Sequence, residues 1–107
     1  MSEKATRHDS DKLQWHLVPM QFLEGMVRVL MFGAHKYSPH NWRKGFPTSR
    51  ITNSMQRHLN AYMAGEDIDP ESGLSHLDHI LCNALFLKGN SVEHPDMDDR
   101  YKKENGS

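Results

Sequence analysis

The chain has 107 residues, 36% hydrophobic, 25% charged and 8% aromatic. This is the profile of one small globular domain of roughly 100 to 150 residues, and it excludes a multidomain machine or a disordered chain. The net charge of −1 argues against a nucleic-acid binder, which needs a basic surface, and no run approaches the ~20 apolar residues that cross a bilayer.

Residues 1–11 are polar and patternless, so a polar N-terminal tail on a cytoplasmic protein is expected. LQWHLV at 13–18 is a short strand candidate. The first helix is predicted to open at Pro19, whose missing N–H is not needed in a first turn, with Met20, Leu23, Met26, Val27, Leu30 and Met31 on one face. It ends before Tyr37, and the loop HKYSPHNWRKGFPTSR follows at 35–50. The second helix takes Thr48 or Ser49 as N-cap, runs through Ile51, Met55, Leu59, Tyr62 and Met63, and stops at Gly65. The third takes Asp69 as N-cap and Pro70 in its first position, with Glu71 at the positive end of the dipole and apolar residues from Leu74 to Leu85 until Gly89. Within it, the single Cys82 excludes an internal disulfide and a multi-Cys zinc site, and reads as core filler.

Residues 90–107 are polar and expected to form a C-terminal tail, which leaves 12–89 as an all-α domain of three main helices. A domain this small hides only about 60% of its unfolded surface. The bundle is therefore expected to be completed by oligomerisation, as a homodimer or homotetramer.

Charge is segregated along the chain. From Gly25 to Gly65 there is no Asp or Glu, while Arg28, Lys36, Arg43, Lys44, Arg50 and Arg57 are all cationic; Glu66, Asp67, Asp69, Glu71 and Asp78 then follow with no Lys or Arg among them. Such a division can serve a phosphate-rich ligand and a divalent cation, or simply make two solvated faces. In the loop, Lys36, Arg43 and Lys44 suit phosphate, Asn41 offers a bidentate amide, and Tyr37 and Trp42 offer flat faces for a base; Trp42 taken alone suits a plug at the core edge. Glu66 and Asp69 are candidate magnesium ligands, although Asp69 and Glu71 also have helix-capping work. Histidine is abundant, with eight in the chain. On the third helix His76, His79 and Asn83 fall at i, i+3 and i+7 on one face, where Arg57 and His58 of the second helix can meet them.

These residues carry a resemblance. KYSPHNWRKG followed by RHLNAYMAGEDIDPESGLSHLDHILCNALFL is similar to the phage dATP/dGTP diphosphohydrolase N-terminal domain, related to MazG-like all-α nucleotide pyrophosphohydrolases, over roughly residues 12–88. The resemblance implies a magnesium-dependent purine (d)NTP pyrophosphohydrolase that gives (d)NMP and pyrophosphate. It places Lys36, Arg43, Lys44 and Arg57 on phosphates, and Tyr37, Asn41 and Trp42 on the nucleoside. Asn83 joins the ligand side, Glu66 and Asp69 the metal, and His58, His76 or His79 orients or deprotonates the attacking water or binds ligand oxygens. The MazG-like carboxylate motifs E-x-x-E and E-x-x-D do not occur on consecutive helices here; the third helix reads HLDH. The alternative is a non-enzymatic phage sponge that sequesters a nucleotide immune signal of the host.

Overall fold

The computed structural model describes residues 4–102, and they form three helices joined by short 3-10 turns, with no strand among the described residues. The all-α expectation is met. α1 spans Glu24–Lys36, α2 Thr48–Met63 and α3 His76–Glu93. α3 is the middle helix, with α2 packed along it and α1 crossing it. The crossing is close at one end, where a Cβ on Gly25 would fall on the Asp78 carboxylate. Cys82 of α3, Val29 of α1 and Ile51 of α2 are the buried apolar residues. Burial pushes the Cys82 thiol up to about 12, so it stays protonated and serves as a small core residue.

Several boundaries differ from those expected. Pro19 opens only a 3-10 turn, Met20–Leu23, in which Phe22 N–H reaches the Pro19 carbonyl; the α-helical register begins at Glu24. LQWHLV is no strand: it holds a 3-10 turn, Trp15–Leu17, whose apolar side chains are exposed. Neither Thr48 nor Ser49 caps α2, whose cap position is Pro47. The free N–H of Ser49 is instead taken by Asp99 at 2.8 Å, a capping carboxylate brought from the far end of the chain.

The third helix starts at His76 rather than after Asp69, with the Ser75 hydroxyl accepting from Leu77 N–H. Residues 69–74 close on themselves, because Gly73 adopts φ +74° and Asp69 N–H bonds the Leu74 carbonyl at 2.8 Å. The helix then runs through Gly89, which is covered by Trp42: a Cβ there would stand 2.7 Å from the indole. Beyond it, Asn90 is 5% exposed and its amide holds both backbone groups of Phe46, donating to the carbonyl at 2.9 Å and accepting from the N–H at 3.1 Å.

Candidate functional site: a histidine and carboxylate cluster beside an apolar cavity

α2 ends at Met63, and Gly65, at φ +97°, turns the chain back so that Glu66 and Asp67 lie beside the start of α3; His76 N–H bonds the Asp67 carbonyl at 3.0 Å. This reversal sets His58, near the end of α2, against His76 and His79, one turn apart on α3. His58 Nδ1 and His76 Nδ1 are 2.8 Å apart, and His76 Nε2 is 2.7 Å from Glu66 Oε1. Facing a carboxylate, Nε2 carries the proton, so Nδ1 of His76 is its lone-pair nitrogen. The rings of His58 and His79 stack with centroids 4.3 Å apart and planes 5° from parallel. His79 Nε2 lies 2.7 Å from Ser72 Oγ and 3.5 Å from Asp69 Oδ2.

All three histidines and both carboxylates singled out from the sequence therefore meet in one place. Ser72 was missed. The signal was present, since Asp-Pro-Glu-Ser at 69–72 is a turn sequence in which Asp bonds groups further along. Asp69 Oδ2 accepts from Ser72 N–H at 3.1 Å and from its hydroxyl at 2.8 Å.

Burial sets the charge of the cluster. It pulls His58 below the ordinary histidine value, and the positive form of His79 beside it adds to the effect. His79 is also pulled down by burial, against the opposing pull of Asp69. Asp69 is pushed up by burial, but the Ser72 hydrogen bonds and His79 outweigh this and hold it below the usual carboxylate range. At neutral pH His58 and His79 are thus uncharged beside an ionised Asp69.

A cavity of about 410 Å³ lies between α1 and the loop, walled by Tyr37, Asn41, Trp42, Phe46 and Phe86 with the α1 face from Val27 to Ala34. Trp42 stacks on Phe86 of α3 at 4.9 Å, so the same indole plugs the loop against α3 and lines the cavity. Phe86 lies seven residues beyond His79, roughly 10 Å along the helix. The expected nucleoside residues therefore share one concavity, next to the cluster but not inside it.

The cations do not gather with them. Lys36 pairs with Glu71 at 3.1 Å and Arg43 with Glu93 at 2.9 Å, while Lys44 and Arg57 are exposed. Asn83 is buried and donates to Ser54 Oγ of α2 at 3.3 Å, an amide engaged in helix pairing away from the cavity wall. An acid-free stretch of sequence thus becomes no single basic cleft, because the carboxylates that neutralise it arrive from the 66–75 turn and the end of α3. The Lys36–Glu71 pair has a particular position. It joins the cavity rim at Tyr37, over whose ring the ammonium lies at 5.4 Å, to the turn that carries Asp69 and Ser72.

Magnesium, the ion implied by the resemblance, prefers an all-oxygen shell. Among the described residues, the group of donors close enough for one ion is His58, Asp69 and His76, two imidazole nitrogens and one carboxylate oxygen. A set with two nitrogens does not match the all-oxygen shell of magnesium; of the two expected ligands, Asp69 belongs to the group and Glu66 stands behind His76.

The family described as "dATP/dGTP diphosphohydrolase, N-terminal" matches residues 2–100. A relative named dATP/dGTP diphosphohydrolase, from Salmonella phage PMBT28, is 31% identical over 94 residues, covering 88% of this chain and 32% of the relative. The chain spans about a third of the length of that relative. No solved structure matches.

Proposed function

We propose that this chain, which belongs to the dATP/dGTP diphosphohydrolase N-terminal family, binds a purine deoxynucleoside triphosphate and hydrolyses it to the monophosphate and pyrophosphate. The observation that carries this reading is the convergence of His58, His76, His79, Glu66 and Asp69 in a half-buried cluster beside an aromatic cavity.

The cavity suits the base, with Trp42 and Tyr37 for stacking and Asn41 for the polar edge. A triphosphate leaving it would pass Lys36. Exchanging Glu71 for a phosphate there is cheap, because the existing pair is exposed and weak. In the reaction, a water oxygen bonds to the α-phosphorus, the bond from that phosphorus to the bridging oxygen of the β-phosphate breaks, and pyrophosphate leaves with the electron pair. The water's proton passes to a base. His79 suits that role: burial keeps its imidazole neutral, Nε2–H is held by Ser72 Oγ at 2.7 Å, whose own proton goes to Asp69, so the lone pair that takes the proton is on Nδ1, and Asp69 at 3.5 Å steadies the imidazolium once formed.

The test is to incubate the untagged chain with a panel of dNTPs and NTPs, with each of several divalent ions or with chelator, then denature it and chromatograph the nucleotides. The expected products are (d)NMP and pyrophosphate, with purine deoxynucleotides preferred. His79→Gln should lower kcat by roughly 10²- to 10⁴-fold. Stoichiometric recovery of unchanged nucleotide would replace hydrolysis with sequestration.

A further inference from the structure

We infer that His58, His76 and Asp69 form a binding site for one divalent transition-metal ion of the zinc and manganese class. The three offer two imidazole nitrogens and one carboxylate oxygen, all within 4.8 Å of one another. Two nitrogens and an oxygen are the donors chosen by zinc, manganese or iron, and they exclude the hard, all-oxygen preference of magnesium. Three protein ligands is also the number that metalloenzymes use when a fourth position is left for water or substrate.

Glu66 supplies the second observation. Its carboxylate accepts from His76 Nε2 at 2.7 Å while the opposite nitrogen of the same ring faces His58. A carboxylate behind a histidine fixes the tautomer and aims the lone pair, which is how metal-bound imidazoles are held. His76 is only 3% exposed, so this orientation is set by packing. His58 stacks on His79 with parallel rings, which limits its rotation as well. The two Nδ1 atoms at 2.8 Å stand slightly closer than the ~3.3 Å separating two donors on a tetrahedral ion with bonds of about 2.0 Å. With the His76 lone pair on Nδ1, His58 Nδ1–H donates across this contact, so an entering ion shifts that proton to His58 Nε2 and opens the pair by a few tenths of an ångström.

The site's use in hydrolysis rests on the function proposed above, but binding of the ion does not, and the two are measured separately. The untagged chain is stripped with chelator and titrated with cobalt(II), whose visible absorption reports nitrogen and oxygen ligands. One equivalent should bind, zinc should displace it, and millimolar magnesium should not. Asp69→Asn and His58→Gln should each weaken cobalt binding by more than 100-fold. Glu66→Gln, which alters only the residue behind His76, should weaken it by roughly 10- to 100-fold. His79→Gln should retain the metal while losing turnover.

Circular dichroism of each variant confirms that it is folded; should one unfold, a raised Tm of the unaltered chain with one equivalent of zinc supports the site. Absence of cobalt binding below millimolar concentration, equal competition by magnesium, or full affinity in folded His58→Gln would each overturn it. A chain that binds cobalt but leaves every nucleotide intact would refute the hydrolase reading alone.

Discussion

Burial of an imidazole makes its charged form expensive, and His58 and His79 both carry that cost. The consequence is a pH dependence of stability with a definite sign. Above about pH 6.5 neither the folded nor the unfolded chain protonates these two groups. As pH falls through that value the unfolded chain takes up protons first, so stability drops toward the lower folded values. Asp69 acts further down: its contribution is present above its unfolded value of 3.8 and is lost as pH falls through the depressed folded value. The urea midpoint of the metal-free chain should therefore fall steadily between pH 7.5 and 5.5, and His79→Gln should flatten the fall. An equal midpoint across that range would show that the histidines are hydrated and that the cluster is more open than its geometry implies.

The same residues were readable before the structure because a histidine stripe at i and i+3 and a carboxylate turn are local patterns. The partners of Lys36, Arg43 and Asn83 were not. They lie 35, 50 and 29 residues away in sequence, and no local pattern carries contacts of that range.

Helix types followed from apolar spacing, whereas helix ends were decided by contacts between elements. Gly89 reads as a stop, yet it sits inside α3 because Trp42 of the loop needs the space a side chain would fill. Asp69 reads as a cap, yet it closes its own turn and leaves capping to Ser75. The loop is fastened to α3 at a second point, where the buried Asn90 amide takes both backbone groups of Phe46. Asn90→Ala would strand that N–H and carbonyl, at a cost of about 2 kcal/mol. A chain of this size then loses roughly 10 °C in Tm. Asp99→Ala removes a cap from α2 on an exposed side chain and should cost clearly less. Thermal melts of the two variants order these contributions; an Asp99→Ala loss equal to that of Asn90→Ala would mean that the C-terminal segment, not the clamp, holds the loop and α2 in place.

The helix α1 side leaves large apolar side chains in solvent. Phe22 at 69%, in the turn leading into α1, and Met31 at 64%, on α1, are exposed. Val27 and Met31 also wall the cavity, so whatever covers this face closes the binding space at the same time. The expected homodimer or homotetramer supplies such a cover from a second copy, with α1 facing α1 across a two-fold axis as the simplest arrangement. Light scattering after size exclusion should give at least twice the 12.4 kDa chain mass, and Tm should rise with protein concentration. Phe22→Glu combined with Met31→Glu should return the mass to one chain and weaken nucleotide binding, since one wall of the cavity becomes charged and open. A monomeric mass at micromolar concentration with a concentration-independent Tm would exclude the second copy.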